Sequence, residues 1–148
     1  MMWKPSVTVA GVIERDGRFL FVEEEADGRV VINQPAGRLD PNESLLHAVA
    51  REVLEETRYR ITPTFLVGIY LWPHEIKDIT YLRFAFAGEI TGEDKERKLD
   101  TGILRPVWLT PEELAREADR HRNKLVSRCI ADFQAGKRYP LDLLASYF

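Results

Sequence analysis

The segment 44–57 carries two patterns at once, and few folds satisfy both. Leu46, Val49, Ala50, Val53 and Thr57 recur at helical spacing, so the segment needs an apolar partner along one face. Glu52, Glu55 and Glu56 stand at i, i+3 and i+4, so three carboxylates leave a single turn of the same helix. At about 100° per residue, the acidic face points about a third of a turn away from the apolar stripe. Charges of one sign that close repel, and Arg51 alone cannot neutralise three glutamates. A hard divalent cation with oxygen ligands can.

Exposed helices often carry Glu and Arg, and the spacing of the three glutamates alone reads more often as a solvated face. The wider spacing is more restrictive. It runs Gly37, five residues, Glu43, seven residues, then Arg51, Glu52, Val53, Glu55, Glu56 and Tyr59. Six fixed matches in a chain of this size have a chance probability on the order of 10⁻⁵, which turns the balance toward a site. The pattern resembles the Nudix box, the signature of hydrolases that cleave a nucleoside diphosphate linked to another group. One position departs from it: Arg58 stands where the family has Gly.

The resemblance extends through N-Q-P-A-G ahead of the box, Y-L-R-F-A-F, and D-T-G-I-L-R-P-V-W-L-T-P-E-E-L. The tail 125–144, with F-Q-A-G-K-R-Y-P-L-D-L-L, is similar to the NudJ-type branch of phosphatases. The family implies an α+β Nudix fold: an α/β/α sandwich with a mixed β-sheet and the box as a loop-helix-loop. The branch implies release of orthophosphate from nucleoside di- and triphosphates and from a pyrophosphorylated pyrimidine precursor of thiamine. A nucleotide-sanitising or ADP-ribose/dinucleotide pyrophosphatase is the alternative within the family. A nucleotide-sensing domain without catalysis is a further one, disfavoured because every box carboxylate is kept.

A chain of 148 residues is the length of one ordinary domain, so 1–148 is expected to fold as a single unit. With 45% hydrophobic and 30% charged residues it has the balance of a soluble globular protein. A net charge of −3 provides no basic footprint for nucleic acid, so the expected partner is a small nucleotide or pyrophosphate. No long apolar run suggests a membrane partner, and the first residues lack a signal-peptide pattern, so a cytoplasmic protein is expected, monomeric or homodimeric. Cys129 is the one cysteine, set among Leu125, Val126, Ile130 and Phe133 at helical spacing, which predicts a packed core thiol.

Asp16-Gly17 and Asp27-Gly28 are hairpin signals, predicting strands at 6–14, 18–25 and 29–32. Ser44 is the expected N-cap of the box helix. Two long strands are predicted at 65–72 and 79–90, then a mobile polar loop to Gly102 and a strand at 103–109. Thr110-Pro111 opens a helix, and another spans 123–135 before Gly136.

By resemblance, Glu56 is the principal metal ligand, with Glu52, Glu55 and the Gly37 carbonyl sharing one to three Mg²⁺ or Mn²⁺ ions. Glycine suits that place because backbone must approach the metal. Arg51 forms an i, i+4 pair with Glu55 and is expected to orient carboxylates. Glu43 lies about 12 Å along the helix axis from Arg51, so a contact needs two extended side chains; a favourable anion at the helix start is an equal alternative. Glu52 is the first choice as general base, with Asp100, Glu93, Asp94 or Glu96 in the later loop as alternatives. Arg83 is either a phosphate ligand or an outward sheet charge. Trp72, Tyr70 and Tyr81 either stack on a base or belong to the core. His47 and His74 read as surface. Either Arg58 bears left-handed backbone strain of about 1 kcal/mol, which Gly would relieve, or the helix ends differently here.

Overall fold

The computed structural model describes residues 2–148. Its strands are β1 (Ser6–Val12), β2 (Glu14–Arg15), β3 (Arg18–Ala26), β4 (Arg29–Asn33), β5 (Ala36–Arg38), β6 (Tyr59–Pro73), β7 (Thr80–Glu93) and β8 (Ile103–Leu109). The helices are α1 (Leu45–Thr57), α2 (Pro111–Arg116) and α3 (Leu125–Gln134). One mixed sheet has the order β5-β1-β7-β6, with β1 and β7 parallel and the other pairs antiparallel. A second sheet runs β2-β3-β4, and β8 pairs with β3.

Both Asp-Gly turns form as predicted. Asp16 (φ 53°) and Gly17 (φ 80°) are both left-handed, as are Asp27 (φ 51°) and Gly28 (φ 81°). Two positive φ values in succession match the right-handed twist of the flanking strands.

Side-chain alternation on β3 divides the core. Phe19 and Phe21 join Val67, Ala85, Val126, Cys129 and Ile130 on the α3 side. Leu20 joins Val9, Val49, Val53 and Phe86 on the α1 side. Each such fully buried apolar side chain contributes about 1.5–3 kcal/mol relative to exposure. Cys129 is buried as expected.

The acidic side of α1 is not a solvated face, in keeping with its reading as a site: Glu52 and Glu56 are buried, because β5 crosses over them. Two expectations are revised. Strand β6 begins at Tyr59 rather than near Phe65, and the segment ahead of the box forms a short strand, β5, in place of an expected loop. The polar stretch after β7 is tied down. Asp94 N–H donates to Arg58 O (2.8 Å) and Asp100 N–H donates to Glu55 O (3.1 Å), so the C-terminal end of α1 holds it in place.

Candidate active site

Helix α1 starts at Ser44, whose hydroxyl accepts from His47 N–H at 3.1 Å. Its apolar stripe fixes the rotation of the helix on the sheet, and the acidic residues are thereby turned toward β5 and the β7–β8 loop. Glu52, Glu55 and Asp100 each offer an oxygen, and these atoms lie within 4.8 Å of one another. This trio differs from the one read along the helix, because Asp100 takes the place of Glu56. Among the other loop acids, Asp94 pairs with Arg60 at 3.6 Å, while Glu93 and Glu96 are exposed.

Glu56 lies deeper, with its Oε1 accepting from Ala36 N–H at 3.0 Å. Burial pushes its carboxyl up to about 9, and the nearby carboxylates Glu52, Glu24 and Asp100 push the same way. Burial also raises Glu52, against the lowering effect of Arg51. Asp100 is raised by partial desolvation and by Glu55. Gly37 pairs with Val9 across β1 and β5, and a Cβ built on it would overlap the Glu52 carboxylate. Only glycine lets the strand and the acid occupy that space.

Arg51 joins these groups. Its Nε and Nη2 donate to Glu43 as a fork, at 2.6 and 2.9 Å. Its Nη1 donates to Glu52 (2.8 Å) and Glu55 (2.6 Å). The long-range contact across two helical turns is therefore made, and Glu43 is held by Arg51 rather than by the helix terminus. These hydrogen bonds pull the Glu43 carboxyl down to about 2 and raise Arg51. The site nonetheless keeps more carboxylate than cation. Close hard oxygen donors, an excess of negative charge and a glycine at the facing strand position, Gly37, all fit a divalent cation.

A cavity of about 340 Å³ is lined by Glu56 and Gly37, the glycine against which the Glu52 carboxylate packs, and has Trp72, Tyr81 and Arg83 in its walls. Trp72 and Tyr81 are cross-strand partners stacked at 5.7 Å with planes 17° apart. Arg83 points inward and is 5% exposed. Its hydrogen-bond acceptors are neutral: Gln34 Oε1 (3.0 Å), Asn33 Oδ1 (3.2 Å) and the Cys129 sulfur (3.9 Å). The outward alternative for Arg83 is thus removed. Tyr70 belongs to the core, and its hydroxyl donates to Asp132 at 2.7 Å. His47 is exposed as expected, whereas His74 lines the cavity beside Trp72. Glu24, Asn33 and Arg122 also line the cavity, and Gln34, just after β4, holds Arg83 from behind. No spacing betrays them, because they converge from β3, the end of β4 and the segment before α3.

The family model of the NUDIX domain matches residues 2–129. Phosphatase NudJ of Escherichia coli (strain K12) is 38% identical over 146 residues, covering 99% of this chain and 94% of that protein. A NUDIX hydrolase from Nitrosomonas europaea is 50% identical with a TM-score of 0.95, covering 97% of this chain and 98% of its own. A MutT NUDIX hydrolase from Burkholderia pseudomallei, at 19% identity and a TM-score of 0.74, shares the fold over 88% of this chain and 98% of its own.

Proposed function

The chain belongs to the NUDIX family, and on that premise we propose that it removes orthophosphate from a nucleoside or pyrimidine di- or triphosphate with Mg²⁺ or Mn²⁺. The observation that carries the reading is a cavity lined by Glu56 and Gly37 and walled by Trp72, Tyr81 and Arg83, with Glu52 of the Glu52–Glu55–Asp100 cluster packed against that glycine. Phosphatase NudJ, matched over nearly its whole length, supports orthophosphate as the product. A cavity of about 340 Å³ lies near the small end for ligand sites, which favours a compact substrate over a dinucleotide.

One to three cations would be held by Glu52, Glu55, Glu56, Asp100 and the Gly37 carbonyl, supplying charge neutralisation and a more acidic water. Arg51 is a positioning residue, since its donors are engaged by Glu43, Glu52 and Glu55. Glu52 accepts the proton of the attacking water on the oxygen that Arg51 leaves free, with Asp100 as the alternative acceptor. The water oxygen bonds to the terminal phosphorus, and the bridging P–O bond breaks. Arg83 binds a phosphate, because a buried guanidinium held only by neutral acceptors gains its counter-charge from the substrate.

The test is a panel of nucleotides and pyrimidine pyrophosphates with Mg²⁺ and Mn²⁺, measuring orthophosphate and pyrophosphate separately. Orthophosphate, lost on chelation and in Glu56→Gln, is expected; pyrophosphate or a nucleoside monophosphate from triphosphates would replace this reading with the pyrophosphatase one. A loss below about tenfold in Glu52→Gln would move the base elsewhere, since general bases contribute about 10²–10⁴.

A further inference from the structure

The cavity wall built from β3 and the segment before α3 contains an acceptor and a donor side by side. Glu24 is a buried side chain on β3, and its Oε1 accepts from Arg122 Nη1 at 2.8 Å and from Asn33 Nδ2 at 3.3 Å. Its Oε2 accepts no hydrogen bond among the described residues. It is also absent from the sealed, unpartnered atoms, of which the described residues have one, Arg97 Nε. With Glu24 lining the cavity, Oε2 is open to whatever fills it. Arg122 lines the same wall and uses a single side-chain nitrogen on Glu24, so it keeps further N–H groups for a ligand.

The neighbouring amides are already occupied. Asn33 donates to Glu24 and accepts from Arg83. Gln34 donates to Val126 O at 2.7 Å and accepts from Arg83. They position Glu24 and Arg83 but have little capacity left to read a ligand. Trp72 and Tyr81 complete the cavity with aromatic surface.

We propose that Glu24 and Arg122 select a substrate whose ring carries an amidine edge, an exocyclic amino group beside an unprotonated ring nitrogen. The amino group donates to Glu24 Oε2, and the ring nitrogen accepts from Arg122. Cytosine, adenine and other 4-aminopyrimidines present that edge. Uracil and hypoxanthine present the reverse, placing a carbonyl oxygen against the carboxylate and an N–H against the guanidinium. Both contacts are then repulsive, and buried polar groups left unpaired discriminate strongly. The phosphate end of this substrate rests on the function proposed above; the ring selection does not.

The experiment compares cytidine and uridine 5′-diphosphates by calorimetry without metal, and the corresponding triphosphates by kcat/KM with Mn²⁺. The expected preference for cytosine is about tenfold or more in both. Glu24→Gln, whose amide can turn its N–H toward a carbonyl, brings the ratio to one or below, with the melting temperature recorded to show a folded variant. Equal affinity of the unmodified protein for the two bases overturns the inference, as does a folded Glu24→Gln that keeps the preference. Adenosine against inosine diphosphate repeats the test on the unmodified chain and needs no variant. Discrimination in binding without turnover would sustain the ring selection and sink the hydrolase reading. Turnover without discrimination would do the opposite.

Discussion

Gly37 and Glu52 share a space that admits a carboxylate or a Cβ but not both. Gly37→Ala is therefore expected to fold with Glu52 displaced, and to lower kcat by about tenfold to a hundredfold, in the range for a mispositioned catalytic group. Steady-state assays with Mn²⁺, beside a melting curve, check this. Glu43 contributes to stability in a defined pH interval. Its folded value of about 2 lies below the ordinary 4.5, so its ionised form is favoured by the native state. That stability is complete above about pH 4.5 and is lost as pH falls toward 2. Glu43→Gln is expected to flatten this acid limb in melting temperature against pH, with the difference from the unmodified protein confined to that interval. Arg51, which would lose its fork, remains as the reporter: its substitution by Lys keeps the charge but not the bidentate geometry.

Helix α1 ends at Arg58, left-handed at φ 71° and ψ 0°, with its N–H donating to Leu54 O. The strain expected from the missing glycine is present, and the structure adds a compensation: Arg58 Nε donates to Arg97 O at 2.6 Å. Arg58→Gly relieves about 1 kcal/mol of strain but loses a hydrogen bond from a charged donor, so little net change is expected. Arg58→Ala keeps the strain and loses the bond, and a fall of about 1–2 kcal/mol in urea denaturation is expected. Because the Arg97 contact helps hold the loop that carries Asp100, both variants should also weaken Mn²⁺ binding. Unchanged Mn²⁺ affinity in both would mean that the Asp100–Glu55 backbone bond positions the loop by itself. The element thus couples a helix terminus to a ligand loop through a residue that departs from the family pattern.

Across the molecule, the site concentrates buried negative charge, and stability should follow metal and pH together. With Glu56 raised to about 9, the metal-free native state holds a proton that the unfolded chain, near 4.5, releases. Stability of the metal-free protein should therefore fall as pH rises from about 4.5 toward 9. Mn²⁺ should oppose that fall, since a ligand of the native state alone stabilises by mass action. Denaturation at pH 5 and 8, with chelator or with Mn²⁺, measures both; Glu56→Gln should reduce the slope and the metal effect. Much of this molecule is legible in the sequence. The two Asp-Gly turns, the Ser44 cap, the α1 stripe and the glutamate spacing are local, set by backbone preference and helical period within a few residues. The sequence alone also carries the resemblance on which membership of the family was expected. Tertiary structure decided what local rules cannot reach. It brought Asp100 from a distant loop to Glu52 and Glu55, and buried an acidic face under a three-residue strand. It turned Arg83 inward onto Asn33 and Gln34, and set Glu24 against Arg122 across 98 residues of chain. Those contacts depend on the folding of separate segments around a shared core, and a charge's partner across a cavity leaves no period in the sequence that could announce it.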